Sequence, residues 1–104
     1  MKIVLFLLIS IMLLACDQKS TNGKTIVVDV RPELTWKQGH GQGINIPLPE
    51  LEKHKTELLQ YDTVIFVCET GASALQATSY MNTQKGHETV FKNGVSWTNY
   101  QDCP

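Results

Sequence analysis

The sequence predicts an α/β fold with a small, largely parallel central sheet flanked by helices, and three observations carry this. Two short runs, Thr25 to Val30 (TIVVDV) and Val64 to Val67 (VIFV), have the near-continuous β-branched and aromatic character of strands covered on both faces. Helix-forming stretches alternate with these runs, one opening at Pro47 and one beyond Gly71. The chemically capable residues Asp29, Arg31 and Cys68 fall at the ends of the runs, and parallel sheets gather their sites at the strands' carboxyl ends.

The elements follow in order. The first strand spans Thr25 to Val30 and closes at Arg31 and Pro32, with Pro32 in the first turn of a short helix over Glu33 to Lys37. Gly39, His40, Gly41, Gln42 and Gly43 make a turn, and Ile44 to Ile46 a short strand. Pro47 and Pro49 open a helix that runs to about Leu59. Its Leu48, Leu51, Leu58 and Leu59 face the core, and Glu52, Lys53 and Lys55 face water. The strand Val64 to Val67 leads into a loop at Cys68. A helix then runs from Ser73, its N-cap, to about Gln84, and Gly86 closes it at C′. Thr89 to Phe91 is a further strand. Asn93 and Gly94 turn the chain into a last short helix bearing Trp97 and Tyr100.

The front of the chain has a different character. Lys2 precedes an almost wholly apolar run from Ile3 to Leu14, too short to span a bilayer, with the small residue Ala15 before Cys16. This reads as a secretory signal. Leu13, Leu14, Ala15 and Cys16 resemble a bacterial lipobox, which implies cleavage before Cys16 and lipidation of that cysteine. Asp17 resembles an inner-membrane retention signal. The expected organisation is a signal peptide over 1–15, a lipidated cysteine and polar tether over 16–24, and one domain over 25–104, held on the periplasmic side of a bacterial membrane by its lipid. Removing fifteen of the 104 residues leaves 89, enough for one small domain. Lys2 leaves with the signal, so eight Lys and Arg face ten Asp and Glu, and the chain has no basic patch to engage nucleic acid. It also contains no internal repeat.

Cys68 carries the chemistry. It stands on a tight loop between a strand's carboxyl end and a helix's N-terminus, followed by Glu69, Thr70, Gly71, Ala72 and Ser73. Free backbone N–H groups and the positive end of the helix dipole converge at such a loop, which favours a thiolate over a thiol. A buried structural cysteine is the alternative. His40, His54 and His87 show no ligand spacing with Cys68, so no metal site is expected. A phosphatase loop needs Arg six positions beyond its cysteine, and Ala74 stands there. Ser73 lacks the Gly-x-Ser-x-Gly setting of a hydrolase serine.

Four segments, in order, resemble the single-domain rhodanese family. They are Val27 to Arg31 (VVDVR), Gly39-His40 leading into Gly43 to Leu48 (GINIPL), Val64 to Cys68 with Gly71 and Ser73, and Asn93 to Trp97 (NGVSW). The resemblance runs from about Thr25 to Trp97 and is strongest to small periplasmic sulfurtransferases. It implies a rhodanese-like three-layer fold and sulfur transfer through a Cys68 persulfide, with Asp29 and Arg31 in support and no cofactor. The implied partners are a small-molecule sulfur donor such as thiosulfate and a thiol or cyanide acceptor. Active family members that use thiosulfate usually carry Arg or Lys in the cysteine loop, whereas here the loop has no cation and Glu69 adjoins the nucleophile. That charge argues against thiosulfate as a good donor. The Gly39–Gly43 turn and the Asn93–Trp97 segment are each shorter than the family pattern. The alternative is a binding or redox module that keeps the fold without the activity, with Cys68 paired to Cys103 or to a partner's thiol.

Overall fold

The computed structural model describes residues 24–101. The expected signal peptide, Cys16 and Cys103 lie outside them. Four strands, β1 (Thr25–Asp29), β2 (Ile44–Asn45), β3 (Thr63–Cys68) and β4 (Val90–Ser96), form one all-parallel sheet in the order β2-β1-β3-β4. The helices are α1 (Glu33–Gln38), α2 (Lys55–Leu58) and α3 (Ala72–Asn82), with 3₁₀-helices over Leu48–His54 and Trp97–Tyr100. The α/β reading and the parallel sheet are as the sequence predicts.

The core follows from alternation along the two central strands. Val28 and Val30 from the β1 end, and Val64, Phe66 and Cys68 from β3, point into one cluster with Ile46, Leu51, Leu58, Phe91 and the inner face of α3. That face is Ala74, Ala77, Thr78 and Met81, spaced three and four apart. Its two alanines let the helix lie close to the sheet, and the Thr78 hydroxyl donates to the Ala74 carbonyl at 2.7 Å, so its polar atom is satisfied. Fully burying Phe66 or Met81 contributes about 1.5–3 kcal/mol each. The cluster thus fixes the head of α3 against the end of β3, where Cys68 sits.

Local structure departs from the sequence expectation in four places. The helix opened by Pro47 is a 3₁₀-helix to His54 and only then one α-turn, because prolines at 47 and 49 remove two amides at its start. α3 begins at Ala72, so Ser73 lies inside its first turn and Gly71, with φ 98°, occupies the N-cap. The helix stops at Asn82, which leaves Gly86, with φ 77°, in the following loop rather than at C′. Asn93 and Gly94 do not turn the chain: they lie within β4, where the pairing shifts from Phe66↔Asn93 to Val67↔Val95 and Gly94 bulges out. A Cβ on Gly94 would fall 2.6 Å from Ile65 and 2.8 Å from Tyr100, so close packing against the second face of the sheet requires glycine.

Candidate active site

The last residue of β3 places its thiol at the head of α3. The Gly71 N–H donates to Cys68 Sγ at 3.0 Å and the Ala74 N–H at 3.4 Å. α3 has no side-chain cap from its own N-cap residue, and the sulfur of Cys68 takes that place. Gly71 has φ 98°, in the left-handed region that glycine enters without a Cβ penalty, and its backbone turns the chain from the loop into α3. The opening amides of α3, at Ala72 and Ser73, have no acceptor within the helix. Negative charge on a sulfur atom here meets backbone donors and the positive helix end together.

A cavity of about 250 Å³ lies over Cys68. Val30, Arg31, Pro32 and Thr35 line it from the β1 end, and Glu69, Thr70, Ala72 and Ser73 from the loop. The register of the sheet joins these two sets. Asp29 pairs with Val67, so Arg31 and Glu69, each two residues further on, leave the sheet side by side. The Arg31 guanidinium donates from Nη1 to Glu69 Oε1 at 2.9 Å. Its Nε donates to both Asp29 oxygens at 2.9 and 3.0 Å, and Nη2 to Asp29 Oδ2 at 2.7 Å and the Gly39 carbonyl at 2.8 Å. The Arg31 backbone N–H also donates to Asp29 Oδ1 at 3.0 Å. The guanidinium lies 4.7 Å from the centre of the Trp97 ring, a cation–π contact.

Burial separates the two ion pairs. Asp29 and Arg31 are 1% and 5% exposed, while the Glu69 side chain is 62% exposed. The Asp29–Arg31 pair is therefore a fixed internal brace, and Glu69 is a solvated carboxylate reaching back to it. Hydrogen bonds that Arg31 donates to Asp29, and after the opposing effect of burial the one it donates to Glu69, raise the Arg31 pKa above its ordinary value, so the group stays a cation.

Each residue expected at the site can now be placed. Cys68, Glu69, Thr70, Ala72, Ser73 and Arg31 line the cavity, Gly71 lies beneath with its N–H on the sulfur, and Asp29 stands behind Arg31. Asp29 accepts from the backbone N–H of Arg31 as well as from its side chain. Glu33 lies outside the cavity and pairs with Lys37 at 2.9 Å. His40 stacks on Trp36 with ring centroids 3.9 Å apart and does not line the cavity.

Three supports escaped the sequence reading. Asn93 donates to the Gly71 carbonyl at 3.2 Å and accepts from the Val95 N–H at 2.9 Å, which ties the bulge to the cysteine loop. Asn45 donates to the carbonyls of Asp29 and Arg31 at 3.0 and 2.9 Å and fixes the end of β1. Trp97 carries the ring that faces the Arg31 guanidinium. An Asn-Gly pair signals a turn more often than a bulge, so Asn93 was concealed by the commoner meaning of its own motif.

Comparison with known proteins agrees with this fold. A search of curated proteins finds no match. Among solved structures, a rhodanese with anions from E. coli superposes with a TM-score of 0.60 at 27% identity, covering 72% of this chain and 89% of that one. The model of the rhodanese-like domain matches residues 15–102. With that match spanning most of its length, and with a cysteine loop at the head of α3, the chain belongs to the rhodanese-like domain family.

Proposed function

We propose that this domain is a sulfurtransferase that carries sulfane sulfur on Cys68. The observation that supports the reading most is the pair of backbone donors, Gly71 and Ala74, aimed at a sulfur that opens into a cavity. In the first half-reaction the Cys68 thiolate attacks the outer sulfur of a donor such as thiosulfate. A new S–S bond forms on Cys68, the donor's S–S bond breaks, and its electron pair leaves with sulfite. The Cys68 persulfide then holds its charge on the terminal sulfur, where the loop amides and the helix N-terminus face it. In the second half-reaction a thiol or cyanide attacks that terminal sulfur, takes it, and returns the Cys68 thiolate. The residues supply orientation and charge stabilisation, and no step calls for a cofactor.

The same proposal places the domain outside the cytoplasm. The signal sequence and Cys16 support export and lipid attachment on the periplasmic side of a membrane, with a small-molecule donor and acceptor as partners.

Intact-mass measurement of the reduced mature domain tests the chemistry. After exposure to thiosulfate, or to ethyl persulfide, the domain is expected to gain one sulfur atom on Cys68 and lose it to cyanide as thiocyanate. Cys68→Ser is expected to remain folded, because a hydroxyl can accept from the same two amides, and to gain nothing. A native domain that takes no sulfur from either donor, with Cys68 bridged to Cys103 in peptide maps, would be a redox or binding module instead.

A further inference from the structure

We infer that Glu69 sets the charge class of the sulfur donor, disfavouring dianions such as thiosulfate and admitting persulfides of small uncharged thiols, which carry at most one negative charge. The inference rests on the sulfur-transfer reading above and narrows its substrate. Among the described residues that line the cavity, Arg31 is the only cation and Glu69 the only acid. Arg31 is thus the group a sulfonate would need. Its nitrogens are already engaged: Nε and Nη2 by Asp29, Nη2 also by the Gly39 carbonyl, and Nη1, which Asp29 does not touch, by Glu69. One guanidinium between two carboxylates leaves the trio with a net negative charge. A dianion entering the cavity must displace Glu69 from Nη1 or approach that negative charge without a counterion.

The leaving group meets the same field. With thiosulfate the leaving group is sulfite, a dianion that gains one further negative charge beside Glu69 as the S–S bond breaks. An alkyl persulfide leaves as a thiolate: Cys68 Sγ bonds to the outer sulfur, the donor's S–S bond breaks, and its electron pair departs on the inner sulfur, which takes a proton from water. The cavity supplies Val30, Pro32 and Ala72 as apolar lining for the alkyl group. Since the Glu69 side chain is 62% exposed, its charge acts at the entrance through water-screened distance rather than as part of the packed core.

Glu69→Gln removes the charge and weakens the hold on Nη1 while Asp29 keeps Arg31 in place. The readout is kcat/KM for sulfur uptake from thiosulfate divided by that from ethyl persulfide, measured on the reduced mature domain. Glu33→Gln, which removes an acid outside the cavity, serves as the control for net charge. Glu69→Gln is expected to raise the ratio about tenfold through a lower KM for thiosulfate, as expected for one unit of charge several ångströms away in a partly screened site. Uptake from ethyl persulfide should change less than uptake from thiosulfate, and added salt should shrink the difference between the native domain and the Glu69→Gln variant. An unchanged ratio, or an equal rise in Glu33→Gln, overturns the role of Glu69 while leaving sulfur transfer standing. Failure of the native domain to take sulfur from either donor overturns the transfer reading and this inference with it.

Discussion

Replacing Arg31 by Met is expected to cost the domain about 3–5 kcal/mol, the range for removing one partner of a buried ion pair. The structure divides that cost. Asp29 is 1% exposed and loses every side-chain hydrogen bond from Arg31, keeping only the Arg31 backbone N–H. Glu69, 62% exposed, is rehydrated when its partner goes, so that half of the network contributes no more than about 1 kcal/mol. The stranded Asp29 carboxylate therefore dominates. With a urea m-value near 1 kcal/mol per molar, typical of the low end for small domains, the midpoint should fall by about 3 M or more. The double change Asp29→Asn with Arg31→Met should be milder than Arg31→Met alone, because Asn keeps an oxygen for the Arg31 amide and strands no charge. Urea denaturation of the native domain, both single variants and the double variant closes this cycle. A midpoint loss under about 1 M for Arg31→Met, or a double variant that costs the sum of the singles, would refute the reading of Asp29–Arg31 as a buried brace.

Gly71→Ala forces a side chain into φ 98° and sets its Cβ 3.1 Å from Val95, so it should cost about 1–2 kcal/mol in urea denaturation. Because the same residue aims an N–H at Cys68 Sγ, its rate of sulfur uptake should also fall by about tenfold or more. Gly94→Ala puts a Cβ 2.6 Å from Ile65, 2.8 Å from Tyr100 and 2.9 Å from Val67, and should cost about 1–3 kcal/mol through overpacking, read as a lower thermal midpoint. Cys16→Ser should move the protein out of the membrane fraction or leave its signal sequence uncleaved, as judged by fractionation and intact mass. A native chain found unmodified and wholly soluble would remove the lipid anchor.

The strands were legible in the sequence because a buried parallel strand has a local signature. The runs TIVVDV and VIFV are apolar whatever surrounds them, and both became central strands. Cys68 could be placed at the end of one of them by the same local logic, since a strand, a glycine-containing loop and a helix follow each other directly along the chain. The cap was misassigned to Ser73 for a related reason. Ser is the commoner capping residue, and nothing in the sequence states that a cysteine sulfur has already taken the free amides.

What the sequence determined by itself was the class of the fold, the order of its elements and the position of Cys68, all of which depend on neighbours along the chain. Tertiary structure alone decided the electrostatics of the site. Arg31 and Glu69 are 38 residues apart, and they meet because β1 and β3 pair with Asp29 opposite Val67. A shift in that register would separate the two charges and leave Glu69 beside Cys68 without a cation. Asn93 reaches the Gly71 carbonyl only because β4 bulges at Gly94, and that bulge arises from packing against Ile65, Val67 and Tyr100. Periodicity and propensity are properties of a segment. Charge pairing across a sheet depends on the relative placement of segments, which is fixed only once the hydrophobic core has closed around them.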